Sequence, residues 1–158
     1  MQFRAGEIKG VMTRELKPFS DNRGWLVEVF RSDEVGPEAM PVMGYVSVTR
    51  PGVTRGPHEH SLQTDMFCFV GLGTFEVRLW DSRPGSETYG NSKSMILGEE
   101  EPTVLIVPPG VVHAYKNVGK VDAMVINLPN RLYMGDKRGE LVDEIRHEEN
   151  PETPYQLE

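Results

Sequence analysis

The sequence predicts an all-β protein, a sandwich or small barrel, and three observations carry that expectation. Stretches of β character are short and separated by turn signals roughly every 8 to 12 residues. In the clearest of them, Thr74 to Trp80, apolar and polar residues alternate at the two-residue period of a half-buried strand. No long segment carries a 3.6-residue apolar period, so helices are not expected in the body.

In chain order, Ile8 to Leu16 alternates loosely and ends at a turn cluster, Lys17 to Gly24. Trp25 to Phe30 reads as a strand, and Val35 to Pro41, with its glycine, prolines and acidic residues, as a loop. Tyr45 to Val48 restores β character within Met43 to Thr49. Met66 to Val70 is an unbroken apolar run, and Gly71-Leu72-Gly73 turns it into the alternating Thr74 to Trp80, a hairpin. Asp81 to Ser92 is a loop, followed by strands at Ser94 to Leu97, Val104 to Val107 and Ala123 to Asn127. The total is about nine strands in one domain spanning 1–158, with its core over about 8–133. From about 134 to 158 the chain is charged. Glu140 to Glu149 could form a short helix, but it is expected to lie across the body as a flap or loop, with a solvated tail as the bland reading.

Composition narrows the function. Seventeen Lys plus Arg against 24 Asp plus Glu give a net charge of −7, which argues against a broad nucleic-acid footprint. The few arginines must act locally. The single cysteine, Cys68, lies in the apolar run, so no intrachain disulfide forms and a buried thiol suited to a reducing cytoplasm is expected. The N-terminus lacks the apolar core of a signal peptide, and no apolar run reaches membrane-spanning length. A soluble, cytoplasmic protein that does not engage membranes is the expectation.

Two stretches carry chemistry, Gly52 to Asp65 and Pro108 to Asn117. In an extended strand His58 and His60 share a face while Glu59 points the other way. Asp65 and the distant His113 join them only if the intervening chain folds back as antiparallel sheet. The spacings Gly52-x5-His58-x-His60-x4-Asp65 and Pro108-x-Gly110-x2-His113-x3-Asn117 resemble the two cupin motifs, with Asp65 where glutamate is usual. That resemblance implies a double-stranded β-helix, or jelly roll, with the site in its open end and a short irregular or helical C-terminal segment.

A narrower resemblance covers Phe19 to about Asp143. Phe19-Ser-Asp-Asn-Arg23-Gly24 through Phe30, Arg55-Gly-Pro-His58, Trp80-Asp-Ser-Arg83-Pro-Gly85 through Gly90, and Val107-Pro-Pro-Gly-Val-Val-His113 resemble, in order, the dTDP-4-dehydrorhamnose 3,5-epimerase family. The resemblance implies a homodimer acting on a dTDP-4-keto-6-deoxyhexose, with no cofactor required. His58 becomes the base that removes a proton beside the C4 ketone, and Tyr133 the acid that returns one. Asp143, or Glu144, matches the carboxylate that orients the base. Substrate contacts fall on Arg23, Glu28, Arg55, Gln63 and His113, with Arg23 reaching across a dimer interface and Arg55 meeting the diphosphate. The residue types suit the chemistry: α-proton removal calls for a base of near-neutral pKa, and the enolate calls for a nearby donor or cation.

The sequence departs from that family at three positions. Asp65 stands where a lysine is usual, His60 where a glutamine is, and Tyr45 where an asparagine is. An anion at 65 opposes an enolate, whereas His58, His60, Asp65 and His113 together suit a divalent Fe, Zn, Mn, Ni or Cu ion. The alternatives are therefore a metal-dependent cupin enzyme, such as a dioxygenase or small-metabolite isomerase, and a non-catalytic sugar-nucleotide binding protein. Arg23 has a bland reading as the closure of the turn after Asp21, and His147 is read as exposed and without a role. Trp25, Phe30, Phe67, Phe69, Phe75 and Leu79 are read as core or dimer contacts.

Overall fold

Two sheets face each other across an apolar layer in the computed structural model, which describes residues 2–157. One sheet has the order β1 (Arg4–Ala5), β9 (Asn91–Gly98), β8 (Thr74–Asp81), β11 (Val111–Asn117), β6 (Thr54–Glu59) and β13 (Ile145–Arg146). The other has the order β2 (Met12–Glu15), β10 (Thr103–Val107), β7 (Asp65–Phe69), β12 (Ala123–Asn127) and β5 (Tyr45–Thr49). From β5 to β8 and again from β9 to β12 the chain crosses between sheets at every step, as a jelly roll does. The expected all-β class and cupin-like architecture are what the chain adopts.

The packing follows the two-residue period. Phe67 and Phe69 of β7 point into the layer between the sheets, where they meet Phe75, Val77 and Leu79 of β8 and Val125 of β12. Met66 and Cys68, on the opposite face of the same strand, pack beneath Leu16, Val27, Val29 and Phe30. Both faces of β7 are covered, so its sequence is continuously apolar rather than alternating. Each fully buried aromatic such as Phe69 or Phe75 contributes about 1.5–3 kcal/mol through burial. A third cluster joins Trp80, Val112 and Ala114 to Phe3, Tyr155 and Leu157, so these residues from the first and last described segments lie on the outer face of the six-stranded sheet.

Several expectations are corrected. The turn cluster at Lys17 to Gly24 contains a strand, β3 (Phe19–Asp21), which pairs with β4 (Gly24–Leu26) around a two-residue tip, Asn22-Arg23. Regular strand structure therefore ends at Leu26, short of Phe30. Of the two readings of Trp25, core or dimer contact, exposure removes the first within this chain: it is 47% exposed, as Leu26 (67%) and Phe19 (72%) also are. The segment from Glu140 to Glu149, expected as a flap or loop rather than a helix, is indeed without helix. A 3-10 turn spans Asp136–Arg138 ahead of it, and β13 then adds to the edge of β6, which satisfies backbone groups that a free flap would leave to water. No helix among the described residues is long and apolar enough to cross a membrane.

Candidate active site

A cleft of about 1100 Å³ opens between the two sheets and is lined by His58, His60, Gln63, Arg55, Tyr45 and Tyr133, among others. The aim of His58 is set by a bulge. Residues 113 and 115 of β11 pair with 58 and 55 of β6, so β6 carries one extra residue. Gly56 absorbs it at φ +81, and a Cβ there would stand 2.6 Å from the carbonyl oxygen of His113. Only glycine fits both the backbone angle and that approach. The turn of the second motif is tied to the first by the Gly110 N–H, which donates to the His60 carbonyl at 2.7 Å.

The sequence-predicted histidines and Asp65 do come together. Ring centroids of His58 and His113 are 4.4 Å apart, and the imidazole nitrogens of His58, His60 and His113 lie within 4.8 Å of one another. Among the described residues no hydrogen bond holds either ring nitrogen of His58. Burial, with His113 and His60 beside it, pushes the His58 pKa down to about 2, so the ring is neutral and its lone pair is available. His113 is 3% exposed and Asp65 1%; both sit under the cleft rather than in its lining, so the substrate contact expected of His113 is corrected to a supporting place behind His58.

The protonation pattern beneath the cleft can be read from hydrogen-bond partners. His60 Nδ1 meets the carbonyl oxygen of Asp143, and His113 Nδ1 lies 3.0 Å from that of Val111. A carbonyl only accepts, so both Nδ1 atoms carry hydrogen. Their Nε2 atoms then converge on one oxygen, Asp65 Oδ2, at 3.2 and 3.5 Å. The other oxygen, Oδ1, accepts from Gln63 Nε2 at 2.9 Å and Asn127 Nδ2 at 2.8 Å. Gln63 Nε2 also lies 3.2 Å from His60 Nε2, while His113 Nε2 is buried without a hydrogen-bond partner. Two lone pairs aimed at a carboxylate oxygen repel it unless positive charge lies among them. A proton on His60 supplies one such charge: burial opposes it, but contact with Asp65 outweighs burial and raises the His60 pKa. Burial likewise opposes ionisation of Asp65, yet its partners, His60 first, hold it down to about 2. A divalent ion also fits the donor set. Neighbouring ligand atoms around a four-coordinate ion stand about 3.3 Å apart when metal–ligand bonds are about 2.0–2.1 Å, close to the spacings seen. Such an ion would also engage His113 Nε2.

The remaining site residues fall in two groups. Arg55 lines the cleft, held by Thr49 Oγ1 and the Val48 carbonyl, both at 2.9 Å, which uses two of its five donors. Tyr133 is on the rim, half-exposed. Asp143 does not orient His58: its carboxylate accepts the backbone N–H groups of Ser61, Leu62 and Gln63, each at 2.9 Å, and so fixes the loop that carries His60. Glu144 pairs with Arg146 at 2.7 Å. Arg23 and Glu28 are not brought to the cleft within this chain. Arg23 closes the hairpin on Asp21 at 2.5 Å with its side chain 85% exposed, and Glu28 faces Arg31 at 3.9 Å. His147, read as exposed, is half-buried and bonds Glu59 at 2.8 Å.

Sequence reasoning missed Asn127, whose amide bridges Asp65 and the hydroxyl of Tyr45 (2.8 Å each), and Tyr115, whose hydroxyl meets Ser47 Oγ at 3.1 Å. It also missed Arg131 and Arg138 on the cleft wall. An unbroken strand such as Ala123 to Asn127 ending in a polar residue was the available signal for Asn127.

Comparison with known proteins agrees with this geometry. The family described as dTDP-4-dehydrorhamnose 3,5-epimerase matches residues 5–145. The "Probable low-salt glycan biosynthesis epimerase Agl13" of Haloferax volcanii is 39% identical over 127 residues, covering 80% of this chain and 81% of that protein. The "Spore coat polysaccharide biosynthesis protein SpsL" of Bacillus subtilis is 33% identical over 135 residues, covering 84% and 87%. Among solved structures, a dTDP sugar isomerase from Desulfovibrio desulfuricans G20 shares the fold with a TM-score of 0.79 at 24% identity, covering 94% of this chain and 91% of that one. A dTDP-4-dehydrorhamnose 3,5-epimerase from Sulfolobus tokodaii superimposes with a TM-score of 0.72 at 26% identity, covering 92% and 82%. With a match over most of its length and relatives at 39% and 33% identity, this chain belongs to the dTDP-4-dehydrorhamnose 3,5-epimerase family.

Proposed function

We propose that the chain is a sugar-nucleotide 3,5-epimerase or closely related isomerase acting on a dTDP-4-keto-6-deoxyhexose. The observation that carries this reading is His58: among the described residues no hydrogen bond holds either ring nitrogen, and a bulge that only glycine permits presents the ring to the cleft. Its lone pair takes the proton beside the C4 ketone, and the C–H electrons pass into an enolate. A phenol then returns a proton to the other face of the carbon, with Tyr133 on the rim as the residue that the family resemblance supplies. Arg55, Arg131 and Arg138 line the cleft and are the cationic groups suited to the diphosphate. His60, where burial opposes a charge but contact with Asp65 outweighs it and raises the pKa, is the donor closest in kind to the missing lysine.

In deuterium oxide, proton abstraction and return place deuterium at C3, C5 or both. His58→Asn abolishes that wash-in. If none of several 4-keto sugar nucleotides gains deuterium while those nucleotides still bind, the protein is a sugar-nucleotide binder and the enzyme reading fails.

The convergence of His60, His113 and Asp65 Oδ2, with His113 Nε2 unpartnered, favours a second reading in which these residues hold a divalent transition metal. Bound there, the ion would polarise a ketone oxygen as a Lewis acid. One equivalent per chain in untagged protein, lost in His113→Ala, supports it, and metal-free protein from metal-replete growth refutes it.

We also propose that the chain works as a homodimer. Phe19, Trp25 and Leu26 of the β3–β4 hairpin are exposed among the described residues and suit a second copy, with Arg23, paired to Asp21, at the hairpin tip.

A further inference from the structure

We propose that Tyr45 is a second proton donor to the substrate, reaching it from the wall of the cleft opposite His58. The inference rests on the epimerase reading above and adds to it the face from which a proton returns. His58 projects from β6 in the six-stranded sheet, whereas Tyr45 stands on β5 in the five-stranded sheet, and both line the cleft between them. Tyr45 is registered directly opposite Asn127 of β12. Directly opposed residues share a sheet face, and Asn127, 1% exposed, points inward to Asp65; Tyr45 therefore points inward as well.

The hydroxyl is oriented as a donor. Asn127 Nδ2–H donates to the Tyr45 oxygen at 2.8 Å, and the same amide donates to Asp65 Oδ1. That second contact fixes the amide, because the reverse orientation would set its oxygen against the carboxylate. With its oxygen accepting from Asn127, Tyr45 keeps its own hydrogen free, and among the described residues no group accepts it. Burial pushes the phenol up to about 12, so the hydrogen is retained at neutral pH.

The other phenols of the cleft differ. The Tyr115 hydroxyl is bonded to Ser47 and the residue is 5% exposed, whereas Tyr45, at 46%, is open to the cleft. Tyr133 lies on the segment after β12 rather than on a strand, and a strand-borne group is held more closely to one geometry.

The step balances without a co-reactant. After His58 has taken the carbon-bound proton, the Tyr45 O–H bond breaks and its proton forms the new C–H bond on the opposite face. The phenolate left behind is held by the Asn127 N–H, then recovers a proton from water while His58 releases its own. Carbon is neither oxidised nor reduced.

The test compares Tyr45→Phe with Tyr133→Phe and wild type, each with a dTDP-4-keto-6-deoxyhexose in deuterium oxide, scoring wash-in and inversion separately at C3 and C5, with nucleotide binding and thermal stability as controls. Tyr45→Phe is expected to keep wash-in within a few-fold and to lose inversion at one or both carbons by about 100-fold or more. A structural role would lower wash-in and inversion together, and that result overturns the inference. Wild-type inversion by Tyr45→Phe, with the loss confined to Tyr133→Phe, also overturns it while leaving the epimerase reading intact. Absence of wash-in in wild type itself refutes the epimerase reading, a failure distinguishable from either of these.

Discussion

The floor of the cleft and the β3–β4 hairpin are built on opposite principles. On the floor, polar side chains are anchored to backbone: His60 to the Asp143 carbonyl, His113 to that of Val111, and Asp143 to three successive N–H groups. On the hairpin, Arg23 reaches only its neighbour Asp21, and Phe19, Trp25 and Leu26 face outward. The floor is built within one chain and fixes most of its groups before any ligand arrives, with His113 Nε2 left unpartnered. The hairpin holds apolar surface left open to solvent and a guanidinium that, among the described residues, is paired only with Asp21 of its own turn.

Breaking the floor carries the largest expected cost. Gly56→Ala places a side chain at φ +81 and 2.6 Å from the His113 carbonyl oxygen, and neither the backbone nor the paired strand yields easily. A destabilisation of about 1–3 kcal/mol is expected from the strained conformation, together with loss of wash-in as His58 is re-aimed. Urea unfolding and the exchange assay check the two effects separately. Wild-type stability and exchange would show that the bulge does not set the position of His58.

The hairpin responds differently. Trp25→Ala removes a half-exposed ring from a short two-stranded ribbon and should change the stability of the chain itself by no more than about 0.5 kcal/mol. Its effect belongs to assembly: sedimentation of wild type should give a dimer at micromolar concentration, and the variant a shift toward monomer. Arg23→Ala should leave the dimer in place and weaken substrate binding. A wild-type monomer would leave both residues without those roles.

The same contrast explains what could be read from sequence. His58, His60, Asp65 and His113 were legible because spacing along strands and a fold-back of antiparallel sheet suffice to bring them together. The core was legible for Phe67, Phe69, Phe75 and Leu79, whose period and apolar character agree. Trp25 stayed open between core and dimer contact because an aromatic residue beside a turn reads alike whether its cover is the same chain or another. The turn cluster hid β3, since Asp21, Asn22 and Arg23 are turn formers and the strand before them is only three residues long. Asp143 was located but given the wrong partner: a carboxylate 80 residues downstream of Gln63 can be placed near the site by resemblance, while its choice of three backbone N–H groups depends on how the last segment adds to β6. The bridge from Tyr45 through Asn127 to Asp65 required the register of β5 on β12, which no local pattern encodes.

The central claim is that His58 is a neutral base in a ketosugar cleft, and deuterium wash-in as a function of pH tests it most directly. Its pKa stands far below the ordinary imidazole value of 6.5, so the ring is already deprotonated above that value and stays so as pH falls through it. Wild-type wash-in in the free-enzyme regime should therefore persist below pH 6.5 without the acid limb of an ordinary histidine, and His58→Asn should show none at any pH. Undiminished wash-in by His58→Asn would contradict the account, as would a wild-type rate that falls away through pH 6.5 as the ring of an unperturbed histidine titrates.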